Sequence, residues 1–206
     1  MDGGYDAIYQ SAPCVWGTTP GRLILWLTQE VPQFVPRRVL DAGCGEGKNS
    51  IFYARRGSAV QAVDVSQLAI NHARTSWQEE SSISWEVADI RQVSLPNENF
   101  DLVIAYGLLH CLSSYEEARM VVQRLQSATK IGGYHLVCSF NDRHQELEAH
   151  DGFQPLLLGH STLSRLYERW TCLYESDKDL TESHPHNNVV HTHSLSRFAF
   201  RKAATQ

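Results

Sequence analysis

The 206 residues, 42% of them hydrophobic, are enough to bury the core of one domain. The formal net charge of −5, with lysines and arginines scattered along the chain, argues against a nucleic-acid interface. Five cysteines, odd in number and without a CxxC pair, argue against a disulfide framework and against a zinc site of paired cysteines.

The elements predicted along the chain follow a βαβ pattern. From Arg37 onward, apolar strand-like runs alternate with amphipathic stretches, which is typical of helices packed around a mostly parallel sheet. Before this part, 19–30 is predicted as a helix with Pro20 in its opening turn. The pattern then predicts, in chain order, strand 38–42, helix 48–56, strand 59–65, helix 68–79, strand 83–88, strand 100–106, helix 115–129 and strand 134–140 after a Gly132-Gly133 turn.

The end of the chain is predicted to be a loop and a hairpin. Residues 141–159 are polar and irregular and are interpreted as a loop or lid, followed by a short helix over 161–169. Strands 172–182 and 189–201 would form an antiparallel hairpin at the sheet edge. The whole chain, 1–206, is therefore interpreted as one domain, with an N-terminal lid and helix (1–34), a core (35–140) and a C-terminal part (141–206).

The strongest motif is VLDAGCGEG, in which an apolar strand ends in Asp41 and continues into Gly43, Gly45 and Gly47. Missing side chains in such a loop indicate that a ligand approaches the backbone closely. The spacing is GxGxG rather than the GxGxxG of dinucleotide sites, and an acid so near the loop suits a cationic ligand better than a polyphosphate. S-adenosylmethionine, with its sulfonium and ammonium groups and no phosphate, fits this pattern.

Two further acids follow the next strands. Asp64 ends the second strand, where a carboxylate can accept both ribose hydroxyls; the alternative is that it only begins the next helix, which Ser66 does better. Asp89 follows the third strand and could accept from the adenine amino group, with Ile90 against the ring; the alternative is an ordinary loop aspartate.

Together, VLDAGCGEG, the acid in AVDVS, ADI, and FDLVIAYGLLHCLS followed by IGGYHLVCSF resemble the class I S-adenosylmethionine-dependent methyltransferases. The fragment GEGKNS and the compact C-terminal hairpin look like the small-molecule branch of tellurite-resistance (TehB-like) and thiopurine-methyltransferase-like proteins. The resemblance implies an α/β, Rossmann-like, doubly wound sheet of seven mostly parallel strands with an antiparallel last strand. It also implies Tyr106 and Gly107 beneath the sulfonium. The predicted cofactor-binding residues are Asp41, Gly43, Cys44, Gly45, Asp64, Val65, Asp89, Ile90, Tyr106 and Trp16.

One segment departs from the superfamily pattern. The residues after the fourth strand read AYGLLH, not the Asn-Pro-Pro-Tyr type of amino-methylating enzymes, so N-methylation of a macromolecule is disfavoured. Tyr5, Tyr9, Trp16 and Gly17 precede the first core element and, as in the resembling family, could fold over the cofactor as a lid. The alternative is that Tyr5 and Tyr9 only pin an N-terminal arm to the core.

Histidines are the candidate catalytic residues. His110 follows the fourth strand and should lie near the transferred methyl group, although lone histidines often only pack or cap. His184, His186, His191 and His193 flank the hairpin tip, and a two-residue turn at Asn187-Asn188 would set His184 opposite His191. Three interpretations stay open for these four side chains: a solvated polar tip, imidazoles that bind or deprotonate an acidic substrate, and a metal site.

The sequence thus predicts an enzyme that methylates a small-molecule acceptor with S-adenosylmethionine. The predicted catalytic residues are His110, His184 and His191, and the predicted substrate-binding residues are Tyr9, Trp16, His110, His186 and His193. No metal, nucleic-acid or membrane partner is predicted, a cytoplasmic location is expected, and the oligomeric state stays open. The alternatives are an enzyme that cyclises or cleaves S-adenosylmethionine, a cofactor-binding module without turnover, and a nicotinamide-dependent dehydrogenase.

Overall fold

The computed structural model describes residues 5–11, 13–148, 152–183 and 189–204. Seven strands and six α-helices alternate along this part of the chain. The helices are α1 (Tyr5–Tyr9), α2 (Arg22–Glu30), α3 (Lys48–Ala54), α4 (Gln67–Ser76), α5 (Tyr115–Ala128) and α6 (His160–Arg165). The strands are β1 (Arg38–Ala42), β2 (Ala59–Asp64), β3 (Ile83–Val87), β4 (Phe100–Tyr106), β5 (Thr129–Gln145), β6 (Trp170–Glu182) and β7 (His191–Lys202).

All seven strands form one sheet in the order β3-β2-β1-β4-β5-β7-β6. The first five strands pair in parallel, whereas β7 is antiparallel to both of its neighbours, β5 and β6. The predicted α/β fold of seven mostly parallel strands with an antiparallel last strand is therefore confirmed. Strand order reverses between β1 and β4, which is where open α/β sheets form a ligand crevice.

Alternating side chains of the central strands supply a core on each face of the sheet. Val39 and Leu102 pack with Leu23, Ile24 and Leu27 of α2 on one face. Their chain neighbours Leu40 and Val103 pack on the other face, against the buried side of α5. Fully buried aliphatic side chains on both faces hold the strand ends in fixed positions.

Several predicted boundaries are wrong. Helix α4 ends at Ser76 rather than at residue 79, and α6 ends at Arg165 rather than at residue 169. Strand β5 begins at Thr129, so Gly132 and Gly133 lie within the strand and not in a turn before it.

Helix α2 begins at Arg22 rather than at residue 19, because Gly21 is extended and its N–H donates to Asn49 Oδ1 at 2.9 Å. Strand β5 continues to Gln145, so 141–145 is not part of a loop. The polar side chains of this extension are paired inside the sheet: Asn141 Nδ2 donates to Asp177 at 2.8 Å and to Ser196 at 3.0 Å.

The hairpin register also differs from the prediction. Glu182 of β6 lies opposite His191 of β7, and Leu180 lies opposite His193. The predicted pairing of His184 with His191 is therefore wrong; the tip itself, with His184 and His186, lies outside the described residues. Within the described part of the chain, no helix combines the length and the apolar character that a membrane span requires.

Candidate functional site

A cavity of about 290 Å³ opens where the carboxyl ends of the parallel strands meet. Most predicted site residues lie in its wall, because each of them follows the end of a strand or belongs to the N-terminal segment. The cavity is lined by Tyr9, Trp16, Gly43, Cys44, Gly45, Asp64, Val65, Asp89, Ile90, Tyr106, Gly107 and His110, among others. Asp41, His191 and His193 do not line it, and His184 and His186 are outside the described residues.

The glycine loop lies between β1 and α3, and its three glycines all have positive φ angles of 71°, 53° and 81°. A Cβ at Gly45 would lie 2.9 Å from the Tyr9 hydroxyl, so this glycine leaves room at the cavity wall. A Cβ at Gly47 would lie 2.2 Å from the Trp85 ring. Positive φ and the nearby Tyr9 hydroxyl thus account for Gly45, and positive φ and the packing of Trp85 account for Gly47.

Asp64 at the end of β2 holds the glycine loop. One carboxylate oxygen accepts the N–H of Gly45 at 2.7 Å, and the other accepts the N–H of Ser66 at 2.9 Å. Ser66 itself caps α4, since its hydroxyl accepts from Ala69 N–H, so Asp64 is not needed as the cap. A carboxylate has about four acceptor positions, and two therefore remain for ligand hydroxyls. Burial raises the pKa of Asp64.

Asp41 lies beneath the loop rather than in the cavity wall. It is 1% exposed, and its Oδ2 accepts the Ser50 hydroxyl at 2.7 Å. Among the described residues, its Oδ1 has no hydrogen-bond partner. Burial raises the pKa of this carboxyl to about 7. Asp41 does not line the cavity, and its role as a direct contact of the methionine end stays a prediction.

Asp89 is held by an arginine that the sequence did not point to. Arg91 donates to both oxygens of Asp89, through Nε at 2.8 Å, and to Glu117 through Nη1 at 2.5 Å. The Arg91 guanidinium lowers the pKa of Asp89. This clamp fixes the carboxylate at the cavity wall beside Ile90, which is 6% exposed. The two residues are thus arranged as an acceptor next to an apolar surface, which suits the edge and face of a base.

The N-terminal segment covers the glycine loop. The Glu46 carboxylate accepts the N–H of Cys14 at 2.6 Å and the N–H of Val15 at 2.8 Å. In addition, Lys48 Nζ donates to the carbonyl oxygen of Trp16 at 3.0 Å. These contacts explain why Trp16 lies in the cavity wall. The segment thus has the position that a cofactor lid requires, and it is attached to the same loop that forms the cavity floor.

His110 is buried, 3% exposed, and both ring nitrogens face protein groups. Its Nδ1 accepts the backbone N–H of Phe140 at 3.1 Å, which requires that this nitrogen carries no proton. The Nε2 proton of the neutral ring therefore points to the Tyr5 hydroxyl at 3.0 Å. The ring is also stacked on Phe140 at 4.3 Å. In this tautomer His110 presents a hydrogen-bond donor to the Tyr5 end of the cavity, not a proton acceptor.

Sequence reasoning missed three further ionic residues of the cavity wall. Lys48, Arg197 and Glu182 all line the cavity, and Arg197 is only 5% exposed. Burial lowers the pKa of Lys48 and raises that of Glu182. The position of Lys48 directly after Gly47 at a helix start was a usable signal. No sequence signal pointed to Arg197, because its position depends on the pairing of β7 with β5, where it lies opposite Cys138.

His191 and His193 are buried, at 2% and 0% exposure, so neither belongs to a solvated tip. They lie on the same face of β7 as Leu195 and Arg197, since alternate residues of a strand share a face. Leu195 and Arg197 line the cavity. The two histidines therefore continue the cavity wall along β7 towards the hairpin tip.

A family model described as a methyltransferase domain matches residues 39–133, from β1 to β5. This stretch contains the glycine loop and the acids Asp64 and Asp89. Over these residues the chain is similar to methyltransferase domains.

Curated relatives match the same half of the chain. An uncharacterized methyltransferase of Mycobacterium bovis is 36% identical over 102 residues, which is 50% of this chain and 50% of the relative. A probable S-adenosyl-L-methionine-dependent methyltransferase TehB of Haemophilus influenzae is 29% identical over 103 residues, 50% of this chain and 35% of the relative. The matched segment thus spans half or less of the length of these relatives.

Solved structures share the fold over nearly the whole chain. A protein described under the conversion of a disulfide bond into a thioacetal group during echinomycin biosynthesis has a TM-score of 0.76 at 24% identity, covering 100% of this chain and 94% of its own. TehB from Haemophilus influenzae has a TM-score of 0.73 at 19% identity, covering 88% and 62%. At these identities the likeness concerns the fold alone, and it includes the C-terminal hairpin that the family model does not reach.

Proposed function

We propose that this chain binds S-adenosylmethionine in the cavity and transfers its methyl group to a small anionic acceptor, a thiolate or a chalcogen oxyanion. The proposal is supported at the cofactor end by the glycine loop, by the two remaining acceptor positions of Asp64 and by the Asp89–Ile90 pair. The bound cofactor would supply an electrophilic methyl group on a sulfonium. The residues of the chain then have to bind and orient the two reactants and exclude water from them.

The observation that carries the choice of an anion is that two cations, the partly buried Lys48 and the buried Arg197, line the cavity beside the partly buried carboxylate of Glu182. Lys48 and Arg197 both line it, and Arg197 Nε has no hydrogen-bond partner among the described residues. A buried cation is stabilised by an anion brought within a few ångströms, because the interior screens charge weakly. An acceptor that carries its own negative charge would satisfy this requirement, whereas an ammonium-bearing acceptor would not.

Transfer from a sulfonium is an in-line displacement, so an ionised acceptor needs alignment more than a general base. This agrees with the tautomer of His110, which presents an N–H and could hold an acceptor oxygen or the Tyr5 hydroxyl in place. Aromatic side chains of the N-terminal segment, Tyr5, Tyr9 and Trp16, line the cavity. Excluding water would strengthen the attraction between the acceptor and the two cations.

The test is product analysis by mass spectrometry after incubation with S-adenosylmethionine and a panel of thiols, selenium and tellurium oxyanions, and small amines. We expect methylated anions and an equal amount of the demethylated cofactor. Methylation of amines only would contradict an anionic acceptor. Conversion of the cofactor without any acceptor would instead support the alternative enzyme that cyclises or cleaves S-adenosylmethionine.

Arg197→Met provides the matched test of the cation. We expect at least a tenfold higher KM for the anionic acceptor, with cofactor affinity within about twofold of the original chain. Arg201→Met is the control, since Arg201 lies on the same strand but is exposed and does not line the cavity. Equal acceptor KM values for the two variants would remove Arg197 from the acceptor site.

A further inference from the structure

Glu182, His191 and His193 converge at the end of β6 and β7. One possible ligand atom of each lies within 4.8 Å of the others, and both histidines are buried. Strand register produces this cluster: His191 and His193 alternate on one face of β7, and Glu182 lies directly opposite His191. The two imidazole centroids are 4.8 Å apart.

The hydrogen bonds of the two histidines orient them as ligands. His191 Nδ1 donates to the carbonyl oxygen of Val189 at 2.8 Å. His193 Nδ1 faces Gln145 Oε1 at 2.8 Å. Because Gln145 Nε2 already donates to the carbonyl oxygens of Asn141 and Ser194, its Oε1 accepts from His193. In the neutral form, both rings therefore carry the proton on Nδ1 and the lone pair on Nε2.

This pattern is the one that metal-binding histidines show, with the second nitrogen donating to an oxygen that fixes ring and tautomer. Two imidazoles and one carboxylate are also a donor set typical of divalent transition metals. We propose that Glu182, His191 and His193 form a binding site for one divalent transition-metal ion, of the zinc class, beside the acceptor end of the cavity. The site does not depend on the proposed methyl transfer.

The geometry requires little movement. Ligand atoms that share a tetrahedral ion at about 2.1 Å lie about 3.4 Å apart, and one possible ligand atom of each of the three side chains already lies within 4.8 Å of the others. Glu182 is the side chain with freedom to move, because it is only partly buried and lies at the end of the edge strand. Since Glu182 lines the cavity, the remaining coordination position would face the acceptor space.

The experiment measures Zn²⁺ binding to the full chain, first freed of metal with a chelator, by competition calorimetry. We expect one ion per chain and at least tenfold weaker binding in both Glu182→Gln and His193→Asn. Co²⁺ provides a second readout, since coordination by nitrogen and oxygen ligands gives visible absorption that the two variants should lose. His144→Ala is the matched control: it removes an exposed histidine of β5 outside the cluster, and binding should not change.

Several outcomes would overturn the site. These are an absence of Zn²⁺ binding by the folded original chain, unchanged affinity in both cluster variants, or loss of binding in His144→Ala. If the double variant His184→Ala/His186→Ala lost Zn²⁺ binding while Glu182→Gln kept it, the ion would bind elsewhere. Glu182→Gln keeps the proposal testable if His193→Asn fails to fold. Calorimetry of cofactor binding in the metal-free chain is a separate measurement, so failure of the metal site and failure of the proposed methyl transfer are distinguishable.

Discussion

Single carboxylates show how the same residue type serves different purposes in this site. Asp64 accepts two backbone N–H groups that join the glycine loop to the start of α4. Asp89 is paired with Arg91, and Asp41 is buried against Ser50. Asp64 and Asp89 lie at or just after the ends of β2 and β3 and line the cavity, whereas Asp41 lies within β1 and does not. That these acids hold a ligand stays a prediction. Arg91, two residues from Asp89, and Glu117, which holds Arg91, had no motif of their own.

We expect Asp64→Ala to weaken binding of S-adenosylmethionine or its demethylated product by about 1.5 to 3 kcal/mol, because charge-assisted hydrogen bonds to two hydroxyls are lost. Calorimetry on the folded variant measures this. Asp64→Asn, which keeps one carbonyl acceptor, should lose less binding free energy than Asp64→Ala. An exposed acid, changed in Glu79→Ala, is the control. An unchanged dissociation constant in folded Asp64→Ala would show that this carboxylate does not hold the ribose.

Asp41 should make the stability of the protein depend on pH. Its pKa is raised to about 7 by burial, whereas an aspartate in an unfolded chain has a pKa of about 3.9. Between these values the native state retains a proton that the unfolded state has lost. The free energy of unfolding therefore falls as pH rises from about 4 to about 7, and the loss is complete above that range.

Urea denaturation across this range, in the original chain and in Asp41→Asn, measures the effect. We expect the variant to lack this part of the slope because it has no titrating group at this position. The Ser50 hydroxyl can still donate to the amide oxygen, so the variant retains the hydrogen bond between residues 41 and 50. Identical slopes in the two chains would contradict the raised pKa of Asp41.

At the scale of elements, the glycine loop and the N-terminal segment act together. The loop is short because β1 passes directly into α3, and its positive φ angles are available to glycine at little cost. Glu46, at the loop, accepts two N–H groups of the N-terminal segment. The loop was recognised from its glycines. The attachment of the N-terminal segment was expected only as a lid, and helix α1 was not predicted.

Gly47→Ala and Gly57→Ala form a matched pair that separates strain from packing. Both glycines have positive φ, 81° and 90°, so each alanine should cost about 1 to 2 kcal/mol of backbone strain. Only at Gly47 does the added Cβ meet a ring, that of Trp85 at 2.2 Å; at Gly57 nothing lies within 4 Å. We therefore expect a further loss of about 1 to 3 kcal/mol in Gly47→Ala.

Chemical denaturation of both variants gives the two free energies of unfolding. Equal values would mean that Trp85 moves aside without cost and that the glycine serves only the backbone. Cofactor affinity, measured on the same samples at a temperature where both are folded, should be unaffected in Gly57→Ala. That residue follows α3 and does not line the cavity.

At the scale of the whole molecule, the two ends of the cavity come from different parts of the chain. The cofactor end is formed by the first four strands and their loops, within the matched segment 39–133. In the proposed function, the acceptor end draws mainly on β5, β6 and β7 through Cys138, Glu182 and Arg197, and on Lys48 from the matched segment.

We expect the full chain to bind S-adenosylmethionine or its demethylated product with a dissociation constant in the micromolar range, about −8 kcal/mol, as is usual for a pre-formed pocket of this size. Isothermal calorimetry measures it. NAD should show no binding, because the GxGxG loop and the acids beside it do not suit a pyrophosphate. A heat of binding with NAD, together with none for S-adenosylmethionine or its demethylated product, would contradict the proposed cofactor.

The sequence by itself determined the α/β class, most strands to within a residue or two, and the glycine loop with its acids, because these depend on alternation, helix periodicity and the ends of consecutive strands. Only the tertiary structure decided which side chains share the acceptor end. Tyr5 meets His110 across 105 positions of the chain, and Glu182 meets His191 through a register that a two-residue turn would not have produced. Local patterns fix where an element begins and which of its faces is buried. Contacts between distant elements depend on strand order and register, which a single sequence specifies only through the packing of the whole chain.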